Sequence, residues 1–164
     1  MKLNFGCGRN ILKGYENVDI QEGKGINNSF DFNVFPYPYP GNYFDYIYCD
    51  NVLEHLDNPE WVMLELWRIT KPNGIIRIIV PYYNSKNAYN DITHKHYFNE
   101  RAIKVMCGID HAYDTAPVKR FNIKSIELIP IPLFKLVPKF IREKLSGYIG
   151  NIIMAIDCEI NVIK

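Results

Sequence analysis

The chain has 164 residues, 48% of them hydrophobic and 23% charged, with a formal net charge of +1. That is the length of one domain with a proper core, and the near-neutral balance excludes a global field that draws nucleic acid. Cys7, Cys49, Cys107 and Cys158 show no metal-ligand spacing, no apolar run is long enough for a membrane span, and the chain opens on a strand-like run, so a reduced, cytoplasmic protein is expected.

Leu3–Phe5 reads as a short buried strand and Gly6–Lys13 as a tight turn. Asn17–Ile20 is a second strand, and the gap from Gly8 to Asp19 is too short for a long crossover helix. Phe30–Val34 reads as extended. Three prolines in Phe35–Gly41 forbid helix and central strand there, which leaves an ordered, aromatic surface loop beside the ligand. Phe44–Cys49 is a buried strand, and a short helix starts at Asn51. Asn58 is placed to cap a helix with Pro59 at its first position, running to Ile69 with Val62, Leu66 and Ile69 on one face. Lys71-Pro72-Asn73-Gly74 is a stop, and Ile75–Val80 is a strong strand ended by Pro81. Tyr82–Phe98 is a polar, aromatic loop holding His94 and His96. Asn99–Gly108 reads as helix, Phe121–Ile129 as strand, Phe134–Ile153 as a basic amphipathic helix and Ala155–Ile163 as a last strand. Strands alternating with helices predict an α/β domain with a mostly parallel sheet.

The Gly6-Cys7-Gly8 turn after an apolar strand, with Asp19 ending the next one, suits a nucleoside. Glycines let backbone approach a ligand closely, and an acid at that strand end accepts hydrogen bonds from ribose hydroxyls. A dinucleotide fold is the near rival, but the third glycine of its fingerprint falls at Ile11.

In order, Leu3-Asn4-Phe5-Gly6-Cys7-Gly8, Val18-Asp19-Ile20, Phe44 through Leu56 and Lys71 through Pro81 resemble the class I S-adenosylmethionine-dependent methyltransferases, closest to the small type 11 group. Asp91-Ile92-Thr93-His94 resembles a loop of some relatives. The resemblance implies a single domain over residues 1–164, with a Rossmann-like, open, mostly parallel seven-stranded sheet. Its last strand is antiparallel and helices lie on both faces. S-adenosylmethionine is the implied cofactor. Gly6, Cys7 and Gly8 then form the turn under its methionine part, and Asp19 binds its ribose. Asp31 sits near the adenine amino group, with Phe32 or Ile20 flanking the ring. Asp50 and Asn51 lie at the mouth of the site, with His55 close by in a site role or as a capping or core histidine. Asn4 stands where the family often has an acid that grips the cofactor's amino group, and Asn10 stands where it has a further glycine. The first crossover helix is missing or stunted, and the N-terminal lid helices are absent. Both features point to an open site, or to one completed by a partner, whether a second copy or another subunit.

The activity implied is methyl transfer to a small-molecule or glycan-type acceptor, as O-methylation. His94 or His96 serves as general base, with Tyr82, Tyr83 and Tyr97 shaping the acceptor pocket. No amino-methylation motif is present, so no nucleic-acid substrate is expected. No metal is expected either, because His94 and His96 show no third ligand. The alternative is a degenerate, non-catalytic module that works as a partner subunit. Lys135, Lys139, Arg142 and Lys144, interleaved with apolar residues, also admit peripheral membrane contact through residues 133–153.

Overall fold

The computed structural model describes residues 1–110 and 120–164. Its centre is a seven-stranded sheet. In chain order the strands are β1 (Lys2–Phe5), β2 (Glu16–Asp19), β3 (Asn28–Ser29), β4 (Phe44–Asp50), β5 (Thr70–Pro81), β6 (Phe121–Pro130) and β7 (Ile153–Val162). They lie side by side as β3-β2-β1-β4-β5-β7-β6. β1 to β5 pair in parallel, and β7 runs antiparallel to both β5 and β6. This is the mostly parallel sheet with a reversed last strand that the sequence led us to expect.

The central strands bury alternate apolar side chains. Ile47 and Cys49 of β4, Ile76, Ile78 and Val80 of β5, and Ile156, Cys158 and Ile160 of β7 are completely buried. They share one core with Val62, Met63, Leu66 and Ile69 of helix α1 (Pro59–Ile69) and with Ile103 of helix α3 (Glu100–Met106). α1 starts where the caps dictate: the Asn58 side chain accepts from the Trp61 N–H, and Pro59 opens the helix. The intervening residues of the central strands, such as Tyr46, Tyr48, Arg77, Ile79, Asp157 and Glu159, are half-buried. There Arg77 forms a two-bond pair with Asp157, at 2.9 and 2.5 Å, under the Tyr48 ring.

No helix occurs between β1 and β4. Side-chain amides hold the first connection instead. Asn4 donates to the Asn10 carbonyl and to Asn17 Oδ1, both at 2.8 Å. Asn17 Oδ1 also accepts from the Leu12 N–H, and its amide donates to the Leu12 and Tyr15 carbonyls. An aromatic plug fills the third connection. Phe5 stacks on Phe32 at 4.0 Å between ring centres, and Phe30 and Tyr37 close round them. Tyr37 is buried, so the proline-rich segment is less superficial than its composition suggests. Arg68 of α1 clasps it by donating to the Tyr37 and Tyr39 carbonyls.

Four sequence expectations change. The extended run at Phe30–Val34 is a turn, because Asp31 Oδ1 accepts from the Asn33 N–H and the Asp31 carbonyl from Val34; β3 is only Asn28–Ser29. The Lys71–Gly74 stop is a bulge inside β5, with Asn73 at φ +61°. Residues 82–98 contain a short helix, α2 (Lys86–Tyr89). The long basic helix is broken: Pro132 opens a 3-10 turn, Pro138 precedes α4 (Lys139–Ser146), and the chain leaves it at Gly147. No described helix is long and apolar enough to cross a membrane.

Candidate active site

In an open parallel sheet, ligands bind beyond the carboxyl ends of the strands. Gly6 to Gly8 follow β1 there, Asp19 ends β2, and Asp50 ends β4. Gly6 has φ +70°, and a Cβ at this position falls 2.3 Å from Val52 Cγ2, so the turn and Val52 close on one another only with glycine. Gly8 has φ +51°, and the space where a Cβ would sit is open. Its N–H donates to Asp19 Oδ2 at 2.7 Å, while Asp19 Oδ1 accepts from the Gln21 N–H at 3.2 Å.

A cleft of about 870 Å³ opens over this turn. One wall holds Gly6, Gly8, Asp19, Ile20, Asp31 and Phe32; the other holds Asn51, Val52, His55, Ile92, Thr93 and Lys95, with His94 behind His55 and outside the lining. Thus eight of the residues singled out in the sequence share one cavity: Gly6, Gly8, Asp19, Ile20, Asp31, Phe32, Asn51 and His55. Ile20 is 59% exposed and presents a flat apolar surface to the cleft, whereas Phe32 is locked in the core behind it.

Other candidates stand elsewhere. Asn4 is buried beneath the loop with both amide hydrogens committed, so it is a strut and not a grip on the cofactor. Cys7 is a buried thiol outside the cleft lining, its pKa raised by burial and then by Asp19. Asp50 accepts from the Tyr48 hydroxyl at 2.8 Å and from the Asn51 amide at 2.7 Å. His96 lines a second cleft, of about 730 Å³, beside α1 and α3, with Nε2 against the Leu56 carbonyl at 2.9 Å. Tyr82 is buried, so it shapes the core rather than an acceptor pocket.

One residue escaped the sequence reading. Glu54 lies in a 3-10 turn (Leu53–His55) and is only 1% exposed, yet neither carboxylate oxygen has a hydrogen-bond partner. Burial pushes its pKa up to about 7, its own backbone N–H opposes the rise, and Asp50 and Asp91 add to it. His55 lies 4.6 Å from His94, ring centre to ring centre. Its Nδ1 meets Thr93 Oγ1 at 2.8 Å, and that hydroxyl donates to Asp91 Oδ1 at 2.7 Å. His94 Nδ1 meets the Ala88 carbonyl at 2.9 Å. Burial, then His94, lowers the His55 pKa. The available signal was an acid embedded between Leu53 and Leu56, where burial is the rule for its neighbours.

Residues 16–78 match the family described as methyltransferase domain. No curated protein matches the chain. Among solved structures, a SAM-dependent methyltransferase from Archaeoglobus fulgidus superposes with a TM-score of 0.68 at 24% identity, covering 96% of this chain and 85% of that one. A second, from Mesorhizobium loti, gives 0.66 at 13% identity over 98% and 89% of the two chains. A chain from the complex of the Haloferax volcanii Trm112 methyltransferase activator with a methyltransferase gives 0.62 at 12% identity, over 98% and 81%.

Proposed function

We propose that this chain is a class I S-adenosylmethionine-dependent methyltransferase of the type 11-like group, and that it methylates a hydroxyl of a small-molecule or glycan-type acceptor. The observation that supports this most is the shared cleft: the Gly6–Gly8 turn and Asp19 form one wall, and His55 and the histidine loop form the other.

The residues fit the cofactor. Gly8 offers bare backbone, and Asp19 keeps lone pairs for ribose hydroxyls. In this reading Ile20, which lines the cleft, flanks the adenine ring, and Asp31, which also lines it, takes the amino group. When bound, S-adenosylmethionine supplies a methyl group activated on a sulfonium. The protein's own part is to orient the acceptor and take the proton its hydroxyl releases. The cluster of Glu54, His55 and His94 at the cleft wall is the proton's destination in this reading, and His96, tied to Leu56 on another surface, is not.

The test is titration with S-adenosylhomocysteine, followed by labelled methyl transfer to a panel of hydroxyl-bearing glycans and phenols. His94→Ala is expected to lower turnover about 100-fold or more, with homocysteine-product affinity held within about threefold. Unchanged turnover removes the cluster from the chemistry. Absence of binding by the isolated chain favours the partner-dependent alternative, in the manner of the relative crystallised with an activator.

A second reading concerns where the acceptor is met. Leu133, Leu136, Phe140 and Tyr148 are 79, 97, 73 and 85% exposed, beside Lys135, Lys139 and Lys144. Single exposed apolar residues are ordinary, but four in one short segment among lysines are the composition of an anionic membrane contact. This segment follows β6 at the same edge of the sheet as the cleft, and Asn84 ties it to the histidine loop by donating to the Ser146 carbonyl at 2.6 Å. Sedimentation with vesicles containing phosphatidylglycerol is expected at low salt, and its loss when all three lysines become glutamine. Failure to sediment at low salt excludes the contact.

A further inference from the structure

We propose that Glu54, His55 and His94 form a binding site for a divalent first-row transition-metal ion at the wall of the cleft. One carboxylate oxygen of Glu54 and one ring nitrogen of each histidine all lie within 4.8 Å of one another. Metal bonds of about 2.1 Å at tetrahedral angles put donor atoms roughly 3.4 Å apart.

Three further observations support the assignment. The first is the state of Glu54. A carboxylate that is 1% exposed with both oxygens unpartnered is a group the fold has desolvated without compensation. A cation is the partner it lacks.

The second is the tautomer of each imidazole. The Thr93 hydroxyl has a single hydrogen, and it is donated to Asp91 Oδ1. Thr93 Oγ1 is therefore an acceptor toward His55, and His55 Nδ1 is the donor. His94 Nδ1 likewise faces a backbone carbonyl, that of Ala88, and only a donor satisfies it. Both rings thus carry a proton on Nδ1, which leaves Nε2 as the nitrogen uncommitted in those bonds. A histidine that donates one ring N–H to a carbonyl or to a hydroxyl backed by a carboxylate is the arrangement that orients a metal ligand.

The third is the surrounding charge. Asp50 and Asp91 both act on Glu54, and Asp91 acts on both histidines. The nearest lysine, Lys95, is engaged by Asp57 at 2.5 Å. Two imidazoles and one carboxylate select zinc, iron, cobalt or manganese over calcium and magnesium, and leave coordination positions open. His55 lines the cleft, so an open position there faces the acceptor. On the reading that the acceptor is a hydroxyl, a bound ion would replace the base role given to the cluster above: it would acidify the hydroxyl as it would a bound water, and the proton would leave to solvent.

Cobalt(II) is the probe, because its visible spectrum reports coordination directly and needs neither cofactor nor acceptor. Chelator-treated protein titrated with one equivalent of Co²⁺ is expected to develop a visible band with micromolar or tighter affinity. Glu54→Gln and His94→Ala are each expected to weaken Co²⁺ binding at least about 10-fold. S-adenosylhomocysteine affinity, measured on the same samples, shows that each variant has folded. Absence of the band from the parent chain, or equal Co²⁺ affinity in folded variants, overturns the site and leaves the cofactor pocket standing. Loss of S-adenosylhomocysteine binding by the parent chain with Co²⁺ binding intact overturns the methyltransferase reading and leaves the metal site.

Discussion

Asp19→Ala is expected to weaken S-adenosylhomocysteine binding by two to three orders of magnitude. A carboxylate at the end of β2 presents two oxygens to the cleft, and a hydrogen bond to a charged group contributes about 1.5–3 kcal/mol. Two ribose hydroxyls lost together amount to roughly 3–4 kcal/mol, a factor of several hundred in Kd. The same change frees the Gly8 N–H, whose bond to Asp19 closes the turn. Asp19→Asn separates the two effects. It keeps an oxygen for Gly8 but removes the charge, so the turn stays closed while affinity falls by an intermediate amount. Calorimetry on the three proteins measures this series. Equal affinity across it places the ribose away from β2.

Asn17→Ala is expected to be the most damaging change of a polar residue in the chain. Its side chain makes four hydrogen bonds: it accepts from the Leu12 N–H and the Asn4 amide, and donates to the Leu12 and Tyr15 carbonyls. The alanine variant removes all four bonds; the Asn4 amide keeps the Asn10 carbonyl and the Leu12 carbonyl keeps the Tyr15 N–H, while the Leu12 N–H and the Tyr15 carbonyl lose the partner that Asn17 supplies. At about 1 kcal/mol each, the loss approaches 4 kcal/mol, a large share of the stability of a domain this size. Urea unfolding is expected to show a lower midpoint with little change in slope. The loop so released carries Gly8, so cofactor affinity falls as well. Asn17→Asp keeps the acceptors and loses the donors, and about half of the effect is expected. A shift below about 1 kcal/mol for the alanine variant means that other contacts hold the loop.

Much of this architecture was legible in the chain. β1, β4 and β5 carry apolar runs, β6 and β7 alternate apolar with polar residues, and Asn58-Pro59 marks the start of α1 to the residue. What was hidden is non-local. β3 is two residues long, too short for any periodicity. Nothing in Asn4, Asn17 and Asn27 announces that three amides replace a helix, because each reads alone as a turn former. The proline-rich segment is polar in outline, and only packing against Phe5 and clasping by Arg68 draw Tyr37 inward. The basic segment shows a helical pattern that Pro132 and Pro138 interrupt.

The site divides in the same way. Gly6, Gly8 and Asp19 are local signals, set by a strand, a turn and a strand end. The meeting of Glu54 and His55 with His94 depends on the histidine loop folding back over the 3-10 turn, where the Lys95 and His96 N–H groups both donate to the Glu54 carbonyl. Spacing along the chain carries no trace of that. His94 and His96, which look equivalent in sequence, end up on different surfaces.

The stretch without helices also bears on synthesis at the ribosome. Helices assemble from neighbours, but β1 is wedged between β2 and β4, pairing Lys2 with Tyr46 and Phe5 with Cys49. The first strand to emerge therefore waits for more than forty further residues before its second edge is covered. Meanwhile Leu3 and Phe5, wholly buried in the finished domain, stay open to solvent on the nascent chain. The half of the molecule made first is completed late, around a centre formed by β4, α1 and β5. The edge that carries Gly6, Gly8 and Asp19 is thus closed on both sides only once β4 has been made.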